Sequence, residues 1–105
     1  MKKLLSRIAK KSPKRERHAS IVMRGGAVLA HGFNHDGRHA EVAALSKLWP
    51  SERRGTTVIS FRLTPAGAEG IAFPCEKCQQ FIRAAGVKKV VFSSNGEGMK
   101  TWRVR

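Results

Sequence analysis

Tyrosine is absent from this sequence, and the aromatic set is five Phe and two Trp. So few rings, mostly at core-like positions, weigh against a surface built chiefly on stacking platforms. No apolar run approaches the ~18 residues of a membrane-spanning helix. The opening stretch, Met1 to His18, carries its apolar residues as isolated pairs. That excludes a secretory h-region of ~7–15 residues. Its basic, nearly acid-free character faintly resembles a transit peptide, but the sequence reads as a soluble, cytoplasmic protein. Cysteine is scarce: Cys75 and Cys78 are the only two. A disulfide closing so short a loop restricts the unfolded chain little, which argues against a structural staple. A redox pair and a pair of metal ligands remain open.

Acidic residues are the other shortage. Seven Asp and Glu face 21 Lys and Arg, for a net charge of +14 in 105 residues. Eight of the cations lie between Lys2 and Arg17, against Glu16 alone. A field of this sign favours polyanions and phosphorylated ligands over neutral ones. The alternative is a solvated face that only maintains solubility.

Length and a 41% hydrophobic content suit one domain with a single modest core, spanning 1–105, near the size where a metal or a homo-oligomer often supplements burial. Leu4, Leu5, Ile8 and Ala9 recur at helical spacing, so 2–11 reads as an amphipathic helix, ended by Ser12-Pro13. Together with a basic connector it fills 1–18. Ala19 to Arg24 and Ala27 to Asn34 read as a hairpin about Gly25-Gly26. A helix follows from His39 to Trp49, with Val42, Leu45, Leu48 and Trp49 on one face and Pro50 stopping it. Thr56 to Leu63 is a β-branched central strand, and Thr64 to Phe73 a loop. Pro74 opens a helix that ends at Gly86, and two hairpin-paired strands close the chain. This order predicts an α/β fold with a mixed five-stranded sheet covered by helices.

Cysteines at i and i+3 in a first helical turn project from one face and can share an ion. The positive field of a helix N-terminus favours their thiolate forms. His39, which also opens a helix, is the candidate third ligand, and Glu41 would then stand beside the metal rather than on it. A redox pair would leave His39-Ala40-Glu41 without a role. His18, His31 and His35 sit at no ligand spacing and read as ordinary polar or strand-face residues.

His39-Ala40-Glu41 and Pro74-Cys75-Glu76-Lys77-Cys78 match H-x-E…P-C-x-x-C, and on these residues the chain resembles the zinc-dependent cytidine/deoxycytidylate deaminase superfamily. The element order from Leu4 to Val104 is also similar. The resemblance implies a cytidine deaminase-like three-layer α-β-α fold with helices on both faces of the sheet. It implies Zn²⁺ held by His39, Cys75 and Cys78, and Glu41 as general acid/base in hydrolytic removal of the amine from cytosine, less so from adenine. Further implied are substrate contacts from Asn34, Ala40 and Phe73, with Phe33 a second stacking candidate. Asp36 is the nearest counterpart of a ribose-binding carboxylate. The tight "SSNGEG" link between the last strands resembles members that act on free nucleosides. The charge points instead to phosphate, and Lys14, Arg15 and Arg17 lie where relatives place a substrate-facing loop. The expected substrate is a cytosine nucleoside or nucleotide, then cytosine in single-stranded nucleic acid. The rival of another class is a catalytically silent, zinc-stabilised nucleic-acid-binding protein.

Overall fold

A computed structural model describes residues 1–35 and 37–104. Asp36 therefore lies outside the described residues, as does Arg105. The elements run α1 (Lys2–Ala9), β1 (Arg17–Arg24), β2 (Ala27–Phe33), α2 (Ala40–Leu45), α3 (Pro50–Arg53), β3 (Thr57–Leu63), β4 (Glu69–Gly70), α4 (Glu76–Ala85), β5 (Lys89–Ser93) and β6 (Met99–Arg103). None of the described helices is long and apolar enough to cross a membrane.

The sheet has the order β2-β1-β3-β5-β6, with β4 paired to the end of β3. β1 lies antiparallel to both β2 and β3, whereas β3 and β5 are parallel and joined through α4. Gly25, at φ +60°, turns the first hairpin, a conformation that costs glycine little. Alternate strand residues face opposite layers. Ala19, Ile21, Phe61 and Leu63 meet Leu5, Ile8 and Ala9 of α1. Val22, Val58 and Val90 meet Ala44 and Leu45 of α2 and Ile82 of α4 on the other side. Burying Leu5 and Ile8 contributes about 1.5–3 kcal/mol each. The expected three layers are present.

Three details differ from the sequence reading. The sheet has a sixth strand, because Thr64 to Phe73 is not wholly loop. The Thr64 carbonyl accepts from Gly67 N–H, the Ala68 carbonyl accepts from Thr64 N–H, and the Ser93 hydroxyl donates to the Gly70 carbonyl. A two-residue strand carries no periodicity to read. Pro50 does not stop a helix running to Trp49: α2 ends at Leu45, and Pro50 instead opens α3. Proline suits a first helical position, where its missing N–H has no partner to lose. The Glu52 carboxylate accepts from the Trp49 N–H there. Trp49 accordingly leaves the helical face and is 77% exposed.

Candidate metal centre and active site

The site begins with a glycine inside a strand. A Cβ on Gly32 of β2 would lie 2.6 Å from the Ala44 nitrogen and 2.9 Å from the Ala43 Cβ. Only glycine lets α2 lie this close to the sheet. That contact sets the start of α2, where His39 is the N-cap and Glu41 the second helical residue. Cys75 is likewise the N-cap of α4, and Cys78 lies in its first turn. Cys75 Sγ is 3.6 Å from His39 Nδ1. One donor atom each from His39, Cys75 and Cys78 lies within 4.8 Å of the other two. Neither cysteine is in a disulfide.

The donor set fits a borderline-soft cation such as zinc: one imidazole, two sulfurs, and one coordination position left over. Electrostatics point the same way. Burial, then Glu41 and Cys75, push the Cys78 thiol up. The expectation that the helix end alone would favour the thiolate is thus overridden by desolvation, and a cation is what would ionise this thiol in place. Both carboxylate oxygens of Glu41 are buried without a hydrogen-bond partner.

Glu41 is fully buried, and burial raises its pKa from 4.5 to about 7 against the opposing pull of its own backbone N–H, then of His39 and Arg62. His18 on β1 faces it, with Nδ1 3.8 Å from Oε1. Burial, then Arg62 and His39, lower the His18 pKa to about 3. Although the two groups lie at ion-pair distance, desolvation holds the imidazole neutral at pH 7 and shifts the carboxyl toward its protonated form. Sequence reasoning took His18 for an ordinary strand-face residue. It also passed over Arg62, which pairs with His18 across β1 and β3 and so shares its face. The Arg62 Nε is buried with no partner. Its stem lies against Gly70, where a Cβ would be 3.1 Å from Cδ. A readable signal existed: Arg62 is a charge at an even position of β3, whose other even positions, Val58 and Ser60, are fully buried.

A cavity of about 530 Å³ opens beside His39 and Cys78, lined also by Arg38, Val42, Lys77 and Phe81 among others. Neither Glu41 nor the remaining site candidates line this cavity. Asn34 accepts from the His18 N–H at 2.9 Å and donates to the Glu16 carbonyl at 2.7 Å, tying β2 to the start of β1. Ala40 is buried, its carbonyl against Gly32. Phe73 packs edge-on against Phe92 and Trp102, with centroids 5.1 and 5.5 Å away. Phe33 stacks at a tilt on His35. Lys14, Arg15 and Arg17 line a second cavity, also about 530 Å³, formed with Ser6, Lys10 and Leu63.

Residues 1–94 match the family described as the cytidine and deoxycytidylate deaminase zinc-binding region. The chain is similar to the dCMP deaminase of cyanophage S-TIM5 in apo form, at 27% identity, covering 84% of this chain and 75% of that one, with a TM-score of 0.62. It is similar to a diaminohydroxyphosphoribosylaminopyrimidine deaminase and reductase of Thermotoga maritima at 26% identity and a TM-score of 0.61, covering 85% of this chain but 27% of that one. The cytidine deaminase of Burkholderia pseudomallei, at 20% identity, covers 99% of this chain and 93% of its own with a TM-score of 0.66, a likeness of fold. No curated protein matches the chain.

Proposed function

Because the chain belongs to the cytidine and deoxycytidylate deaminase zinc-binding family, and is a deaminase on that ground, we propose that it hydrolyses the exocyclic amine of cytosine in a nucleoside or nucleotide, using zinc. The observation that carries the reading is Glu41, a fully buried carboxyl beside the His39–Cys75–Cys78 group with no side-chain hydrogen bond to either oxygen. A metal retained only for stability does not require such a group, which speaks against the silent nucleic-acid-binding alternative.

When bound by His39, Cys75 and Cys78, zinc supplies the Lewis acidity that makes water a usable nucleophile near neutral pH. Glu41 does the proton work. Burial raises its pKa in the metal-free fold, and a positioned carboxyl of this kind accepts and releases protons in turn. It takes one proton from the water that adds to C4 and passes it to the neighbouring ring nitrogen, then takes the second from the new C4 hydroxyl and delivers it to the departing amine. Water oxygen ends on C4, ammonia leaves, and cytosine becomes uracil. The buried, neutral His18 borders the carboxyl.

Arg38 and Lys77 at the cavity support a phosphorylated form of the substrate. The names of the cyanophage and Thermotoga relatives, a dCMP deaminase and a phosphoribosyl-pyrimidine deaminase, agree with this. The test is ammonia release across cytidine, deoxycytidine, their monophosphates and adenosine. Turnover confined to the cytosine compounds, stronger with the monophosphates, is expected. Turnover of adenosine alone would overturn the base assignment, and no turnover of any compound by zinc-loaded protein would overturn the activity.

A further inference from the structure

The second cavity is left unused by that chemistry. Lys10 from the end of α1, Lys14 and Arg15 from the connector and Arg17 from the start of β1 line it, with the Ser6 and Thr64 side chains beside them. No carboxylate lines it, and among the described residues none of the four cations is in an ion pair. All four are exposed. Like charges gathered without counter-charges repel one another, and an anionic ligand relieves that repulsion.

Its position relative to the metal ligands says what kind of anion. Leu63 and α1 place the cavity on the α1 side of the sheet, whereas His39, Cys75 and Cys78 open helices of the opposite layer. Yet both lie at one end of the sheet. The connector bearing Lys14 and Arg15 is fastened to Asn34: the Ser12 hydroxyl donates to the Asn34 carbonyl at 2.7 Å, and Asn34 Nδ2 donates to the Glu16 carbonyl. From Asn34 the chain reaches Arg38 and His39 within five residues. Cations thus line both cavities, Lys10, Lys14, Arg15 and Arg17 in one and Arg38 and Lys77 in the other. One phosphate on a nucleotide seated at the metal ligands cannot also fill a cavity on the other face of the sheet. A chain of phosphates can occupy both.

We propose that the Lys10–Lys14–Arg15–Arg17 cavity binds the sugar-phosphate backbone of a single-stranded nucleic acid, which presents an unpaired cytosine to the metal-side cavity. The presentation step rests on the cytosine deaminase reading above; the backbone site does not. A single strand is required because a base within a duplex does not expose its reacting edge to a pocket. No aromatic residue lines the cavity, so recognition there is of backbone charge and tolerant of sequence.

The test uses the zinc-loaded full chain and a fluorescently labelled oligocytidylate single strand, with anisotropy measured over a range of KCl. Four phosphate contacts give a slope of log K against log salt of about −3, at roughly −0.7 per contact on single strands. Replacing Lys14 and Arg15 together by alanine makes the slope about 1.4 shallower and weakens binding about tenfold near physiological salt. The double variant loses kcat/KM on the oligonucleotide by the same factor, whereas cytidine, which has no phosphate, is turned over as by the parent protein. Lys10→Ala with Arg17→Ala, a pair on different elements, gives the same result and guards against a local folding defect in one variant. An unchanged slope and affinity in both pairs overturns the proposal. So does an equal loss on deoxycytidine monophosphate and on the oligonucleotide, which would assign the cavity to a single substrate phosphate. Salt-dependent strand binding by a protein that deaminates nothing would sink the catalytic reading and leave the backbone site standing.

Discussion

Replacing Glu41 by glutamine sets stability against catalysis, and the size of each effect follows from burial. In the folded metal-free chain the Glu41 carboxyl titrates near 7, against 4.5 for an unburied one. Between those values the folded state keeps a proton that the unfolded state has lost. Stability therefore falls as pH rises from about 4.5 to 7 and stays depressed above it. The gap corresponds to about 3 kcal/mol. Glutamine has the same shape and never ionises. The metal-free Glu41→Gln protein should match the parent near pH 4.5 and exceed its stability by up to about 3 kcal/mol at pH 8. Urea unfolding of zinc-stripped protein at the two pH values measures the difference. The zinc-loaded variant should lose about 10²–10⁴ in kcat, the usual contribution of a positioned acid/base group. An equal stability difference at both pH values would refute the buried-carboxyl account. Full ammonia release by the variant would refute the proton-carrier role.

His18 imposes the opposite slope. Its pKa falls from 6.5 to about 3 in the folded chain, so below pH 6.5 the unfolded state takes a proton that the folded state refuses. Stability is lost as pH drops from 6.5 toward 3, by about 5 kcal/mol at the lower limit. His18→Leu should flatten acid unfolding in that window, and an unchanged acid midpoint would contradict the burial argument. Gly32→Ala forces α2 away from β2, because the new Cβ would meet the Ala44 nitrogen at 2.6 Å. A loss of about 1–3 kcal/mol in thermal unfolding is expected, together with reduced kcat, since the displaced segment carries Glu41. Parent-like melting and turnover would show that α2 is not held by this contact.

Local chemistry made much of this legible from sequence. The Gly25-Gly26 hairpin, the helical spacing of Leu5, Ile8 and Ala9, and the left-handed C-cap at Gly86 are all set within a few residues. The same holds for the helix starts at His39 and Cys75. The juxtaposition of those two starts needed only the assumption that both helices share one face of the sheet, and the Cys75–His39 approach of 3.6 Å agrees with it. What escaped depends on distant pairing. His18 meets Arg62 through strand register, 44 positions along the chain, and both meet Glu41 only after α2 packs on the sheet. Nothing near His18 in sequence announces a carboxylate. β4 is held by the Ser93 hydroxyl rather than by any pattern of its own, and Pro50 could mark either the end of one helix or the start of another.

The central claim is that His39, Cys75 and Cys78 hold the zinc that, with Glu41, turns cytosine into uracil. Metal content and product formation measured on one preparation test it most directly. The account predicts about one zinc per chain, uracil and ammonia in equal amounts from a cytosine nucleotide, loss of both zinc and turnover on chelation, and recovery of both when zinc is restored. Full zinc occupancy with cytosine left intact would contradict it.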